Sequence, residues 1–152
     1  MSIIDHTLTT HTSTMGDKTI KCYFDGCSLG NPGPSGAGVY IDFGDRTVSQ
    51  FIFVIKHAAN NIAEYSALIL GLELLHPFKD ERIEIYGDSM LVIQQVNGKF
   101  NTRNERLVAL LRLVDELLSE FPHVTIEHVP RKMNQNADKL SRMGAALGKR
   151  KN

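Results

Sequence analysis

The sequence predicts an α/β fold: a five-stranded mixed sheet, strands 1–3 antiparallel, with helices on both faces, in the order βββ-α-β-α-α-β-α. Three observations carry this. Strand-like stretches come first and in succession, helical and strand-like stretches then alternate, and no repeat or linker divides them. Thr19 to Phe24 sets Ile20, Cys22 and Phe24 against Lys21 and Tyr23, the period of a strand. Gly26 to Gly36 reads as a loop, because Pro32 and Pro34 remove donors and the glycines permit unusual dihedrals. Val39 to Phe43 and Arg46 to Ile55 flank Gly44-Asp45, a hairpin signal.

Ile62 to Leu75 is apolar almost all round, which predicts a helix buried on most faces. Arg82 to Tyr86 is a fourth strand, and Ser89 to Val96 is a short helix ended by Asn97-Gly98. Leu107, Leu110, Leu111, Val114, Leu117, Leu118 and Phe121 recur at helical spacing and make an amphipathic helix. His123 to Val129 is a fifth strand stopped by Pro130, and Asn134 to Leu147 is the last helix.

At 152 residues the chain is one domain, and 42% hydrophobic residues suffice for a real core. Residues 19–147 form it, between a flexible N-terminal tail over 1–18 and a basic C-terminal tail over 148–152. The first 18 residues lack the basic-then-apolar pattern of a secretory signal. Lys plus Arg and Asp plus Glu number 17 each. Zero net charge excludes a dedicated non-specific nucleic-acid coat and leaves only a local patch for phosphate contacts. Cys22 and Cys27 make no disulfide framework and read as reduced, which predicts a cytoplasmic protein. No apolar run approaches the ~18–20 residues of a membrane span. Monomer is the default expectation, with no protein partner evident.

Four carboxylates stand where a predicted strand ends or a helix begins. Asp25 opens Asp25-Gly26-Cys27-Ser28-Leu29-Gly30-Asn31-Pro32-Gly33-Pro34, and Glu64 closes Asn60-Asn61-Ile62-Ala63-Glu64. Asp88 sits in Gly87-Asp88-Ser89, and Asp138 ends Asn134-Gln135-Asn136-Ala137-Asp138. Carboxylates from four elements converge only if the fold gathers them, and a hard divalent cation is the usual reason. Singly, three of them have bland explanations. Asn61 and Glu64 have capping-box spacing, and Asp88 and Asp138 suit helix N-termini. An acid ending a buried strand, as Asp25 does, is costly unless paired or coordinated.

The element order with these four motifs, from about Lys21 to Met143, resembles the type 1 ribonuclease H family and its ribonuclease H-like fold. The resemblance implies an endonuclease that hydrolyses the RNA strand of RNA–DNA hybrids with two Mg²⁺ or Mn²⁺ ions, leaving 3′-hydroxyl and 5′-phosphate ends. Asp25 would bridge both ions, Asp138 would help hold the one that activates water, and Glu64 and Asp88 would hold the other. Gly26, Cys27, Asn31, Asn60, Asn61, Ser89, Arg131, Lys132 and Asn134 would contact substrate. The two ions place a positive charge on each reacting oxygen, and crowding the carboxylates predicts at least one raised pKa in the metal-free protein.

Three departures narrow the resemblance. Only Arg131-Lys132-Met133 lies between Pro130 and Asn134, so the catalytic-loop histidine of many relatives is missing. His128 falls in the fifth strand and reads as a packed residue, leaving Arg131 or Lys132 for phosphate or product release. Met90-Leu91 stands where the family often has Gln, and the residues between Val96 and Leu107 are too few for a basic protrusion. Two other functions compete: a catalytically silent hybrid-binding module and a metal nuclease acting on DNA.

Overall fold

The computed structural model describes residues 2–8, 18–99 and 101–151. Strands β2 (Thr19–Ser28), β3 (Gly33–Asp42) and β4 (Val48–Ala58) form an antiparallel meander. Strand β5 (Arg82–Gly87) joins β2 in parallel, and β6 (Val124–His128) joins β5 in parallel. These are the five strands the sequence predicts. The helices are α1 (Asn60–Leu75), α2 (Met90–Val96), α3 (Glu105–Leu118) and α4 (Gln135–Lys151).

A sixth strand, β1 (Ser2–Leu8), corrects the expectation of a flexible tail over 1–18. It pairs antiparallel with β4, from Ser2 opposite Val54 to Leu8 opposite Val48, and the sheet order becomes β1-β4-β3-β2-β5-β6. The physical reason is the edge: β4 alone would present an open row of backbone donors and acceptors, and Ile3, Ile4 and Thr7 are strand-prone. Residues 1 and 9–17 lie outside the described residues. The basic tail over 148–152 is corrected in part as well, because α4 runs on to Lys151.

Gly26 to Gly36 is also not one loop. Residues 25–28 pair with 38–35, which leaves only 29–32 as the turn. The glycines there serve close approach. A Cβ on Gly38 would stand 2.4 Å from the Ala137 carbonyl oxygen and 2.6 Å from the Ser141 nitrogen, so the strand admits the α4 backbone directly. A Cβ on Gly26 would sit 2.2 Å from the Ala63 carbonyl carbon, so α1 comes equally close one strand over.

The two helices lie on opposite faces. Gly71 of α1 lies against Cys22 and Val39, whereas Gly36 and Gly38 meet α4, and alternate strand residues point to opposite sides. Helices α2 and α3 join α1, so the main core lies on that face, with Phe24, Leu68, Leu72, Leu75, Ile83, Ile85 and Val92 fully enclosed. Because α1 is walled by the sheet below and by α2 and α3 beside it, its sequence is apolar nearly all round.

Gly38→Ala tests the contact that sets α4. Its Cβ would meet rigid backbone, so the variant should lose at least the ~1–3 kcal/mol typical of overpacking, read as a lower urea midpoint at unchanged slope.

Candidate active site

Phe24 of β2 pairs with Gly87 of the parallel strand β5. The next residue in each segment is an aspartate, so Asp25, still within β2, and Asp88, immediately after β5, emerge side by side where β5 ends. The close approach at Gly26 brings the first turns of α1 over this point and delivers Glu64. One oxygen from each of Asp25, Glu64 and Asp88 lies within 4.8 Å of the other two. Asp138 arrives on the first turn of α4, outside that trio but lining the same cleft of about 210 Å³.

The cluster is buried where acids are expensive. Asp25 is 4% exposed and Glu64 6%. Ser141 Oγ donates to Asp25 Oδ2 at 2.8 Å. Glu64 Oε2 and Asp88 Oδ2 are enclosed and accept no hydrogen bond. Arg131 Nε stands 3.9 Å from Asp88 Oδ2, and Arg142 Nε stands 3.2 Å from Asp138 across one helical turn. Burial pushes the Asp25 carboxyl up to about 7, with Asp88 adding to the rise and the Ser141 hydrogen bond opposing it. Glu64 is pushed up to about 10, by burial first and then by Asp25 and Asp88, against the Gly26 backbone amide. The raised pKa anticipated from crowding is therefore present.

Three converging carboxylates, with an enclosed oxygen on Glu64 and another on Asp88 that lack hydrogen-bond partners, are the donor set that a hard divalent cation takes. The residues present fit such an ion.

The other expected site residues divide into two groups. Gly26, Cys27, Asn60 and Arg131 line the cleft. Asn31, Asn60 and Lys132 are exposed, and Asn61 is half-buried. Asn31 and Asn60 brace one another: Asn60 N–H donates to Asn31 Oδ1 at 2.8 Å, and Ser28 N–H donates to Asn60 Oδ1 at 3.2 Å. Asn31 thus caps α1 from the β2–β3 turn, and the capping box allowed by Asn61 and Glu64 does not form. Ser89 is half-buried as the N-cap of α2, accepting from Val92 N–H at 3.4 Å.

Asn134 does not reach the surface. It is 1% exposed and donates Nδ2–H to the Phe24 carbonyl at 2.9 Å, so it holds the strand rather than substrate. His128 is corrected in the other direction: it ends β6 but is exposed. Sequence reasoning missed Leu29, which lines the cleft, and Ser141. Arg142, one helical turn beyond Asp138, also lines the cleft and pairs with Asp138. The i, i+4 spacing from Asp138 was the available signal.

Both raised carboxyls bind protons more tightly folded than unfolded. Their contribution to stability is complete below the ordinary carboxylate range near ~4. It is lost as pH rises through about 7 for Asp25 and towards about 10 for Glu64. Denaturant unfolding in chelator should show metal-free stability falling across that window, and Glu64→Gln should flatten the slope and raise stability at the alkaline end.

The family model described as "Reverse transcriptase-like" matches residues 23–144. Ribonuclease HI of Halobacterium salinarum is 42% identical over 123 residues, covering 80% of this chain and 62% of that protein. The crystal structure of RNase H1 from the same archaeon superposes with a TM-score of 0.78 at 40% identity, covering 83% of this chain and 96% of that one. LC11-RNase H1, in complex with an RNA/DNA hybrid, gives a TM-score of 0.76 at 34% identity, covering 82% and 94%. The chain spans 62% of the halobacterial protein's length and 33% of the mycobacterial relatives it matches. With the four motifs in order, the carboxylate cluster on β2, α1 and the residue after β5, and these likenesses together, the chain belongs to the type 1 ribonuclease H family.

Proposed function

We propose that this chain is an endonuclease that hydrolyses the RNA strand of RNA–DNA hybrids, leaving 3′-hydroxyl and 5′-phosphate ends. The observation that carries this reading is the enclosed trio of Asp25, Glu64 and Asp88 in a chain of this family. Two Mg²⁺ or Mn²⁺ ions are the proposed cofactors, with Asp25 shared, Asp138 on one ion and Glu64 and Asp88 on the other. Bound there, such ions supply an activated water and stabilise the attacking and departing oxygens of an in-line displacement.

The chain's own groups supply orientation. The side-chain oxygens of Asn31 and Asn60 are committed to backbone donors. Their NH₂ groups remain, so both residues would meet substrate as donors, suited to a 2′-hydroxyl oxygen or another acceptor in a hybrid's minor groove. Gly26 and Cys27 line the cleft and are proposed to meet the sugar-phosphate backbone. Arg131 and Lys132 are proposed to take phosphate in place of the missing loop histidine, as expected of a short-loop branch of the family. Only residues 97–104 separate α2 from α3, and the described residues among them build no basic protrusion, so binding should be weak and salt-sensitive. A monomer in a reducing, cytoplasmic compartment completes the reading, supported by two unpaired cysteines.

An end-labelled RNA–DNA hybrid, offered with Mg²⁺, with Mn²⁺ and with chelator, tests the proposal. Metal-dependent cutting of the RNA strand alone is expected, and preferential cutting of duplex DNA would replace it with the DNA-nuclease reading. Metal-independent hybrid binding without cutting would favour the silent module. Asp25→Asn and Asp88→Asn should each lose more than the ~100-fold seen for residues that merely support a metal ligand, with circular dichroism unchanged. His128→Ala should stay within a few-fold of wild type, and a loss of ~10²–10⁴ would make it the general base.

A further inference from the structure

Ser141 is fully buried on α4 and lines no part of the cleft. Its Oγ lies 2.8 Å from Asp25 Oδ2 and also 2.8 Å from the main-chain oxygen of Asp138. A helical serine ordinarily satisfies its hydroxyl on a carbonyl one turn back, so Ser141 has a complete partner inside its own helix. A hydroxyl carries one proton and can serve only one of the two acceptors. A carboxylate is the stronger acceptor, so the proton goes to Asp25.

A second buried bond supports this. Asn134, seven residues earlier and immediately before α4, donates to the carbonyl of Phe24. The helix therefore grips β2 at two successive residues, by the Phe24 carbonyl and by the Asp25 carboxyl. The grip requires the bare strand at Gly36 and Gly38, where a Cβ would fall 2.2 Å from the Ser141 carbonyl oxygen and 2.6 Å from its nitrogen.

We infer that Ser141 is a positioning residue for metal binding: its hydroxyl anchors Oδ2 of Asp25 to α4 and so turns the carboxyl's remaining oxygen toward the cleft. Asp25 is thereby aimed before an ion arrives, and its orientation is tied to the helix that carries Asp138. The inference rests on the proposed reading of Asp25 as a metal ligand.

Calorimetric titration of the full, metal-free chain with Mn²⁺ tests it without any turnover, on wild type, Ser141→Ala and Asp25→Asn. Ser141→Ala should bind Mn²⁺ about 10–100-fold more weakly, the usual cost of losing a group that orients a ligand. Its melting temperature in chelator should stay near that of wild type, while the Mn²⁺-induced rise in melting temperature shrinks. A merely structural serine would give the opposite pattern, a lower melting temperature in chelator with Mn²⁺ affinity intact, and that would overturn the inference. Ser141→Cys keeps the shape with a weaker donor and should fall between the two. If the alanine variant does not fold, wild-type affinity in the cysteine variant overturns the inference equally. Wild-type protein that binds no Mn²⁺ would remove the metal-site reading and this inference together, whereas unchanged binding in the serine variants removes only this one.

Discussion

The burial of Asp25 within a central strand, three residues before its end, is the constraint around which the molecule is arranged. A carboxyl that is 4% exposed, beside Asp88 and facing the equally buried Glu64, costs folding energy unless something compensates. The protein compensates only in part. Ser141 gives Asp25 one hydrogen bond and the Gly26 amide favours the charged form of Glu64, yet both pKa values stay raised and two carboxylate oxygens stay without hydrogen-bond partners. A fold selected for stability alone would place apolar side chains there. The remaining cost is strain held at a functional point, and a cation entering the cluster would relieve it.

The same constraint explains the glycines. To surround Asp25 with groups from α1 and α4, both helix backbones must come within contact distance of β2 and β3. Gly26 and Gly38 permit this because a side chain at either position would overlap a helix backbone. The glycines from Gly26 to Gly36, with two prolines among them, made that segment look like a loop in the sequence. A glycine needed for a turn and one needed for close packing look alike in one dimension, and only the position of the opposing helix separates them.

Legibility followed the range of the interaction. The alternation in β2, the helical spacing in α3 and the stop at Pro130 are local, and the structure has them as read. The four carboxylates were legible because their flanking residues are distinctive, although nothing in one dimension shows three of them meeting within 4.8 Å. Strand β1 was missed because its reason for folding is the open edge of β4, whose paired residues lie 40 to 52 positions away. Asn134 was assigned to substrate because its neighbours are site residues, whereas its partner is the carbonyl of Phe24 at a separation of 110 residues. Ser141 had no local signal, since a serine in a helix ordinarily needs no tertiary partner.

The neutral net charge acquires a sharper meaning at the cleft. Arg131 and Arg142 face Asp88 and Asp138, and their side chains are 76% and 62% exposed. Exposed ion pairs of this kind contribute little, roughly 0–1 kcal/mol, so the arginines are cheap to detach from their carboxylates. A phosphodiester entering the cleft offers each guanidinium a bidentate partner. A cation entering the cluster would take over the charge on the two aspartates. In that exchange the arginines would pass from the carboxylates to the substrate backbone, while the cation's charge balances the aspartates they leave. A chain without excess positive charge can then bind an anion at this one place, provided that the metal and the phosphate arrive together.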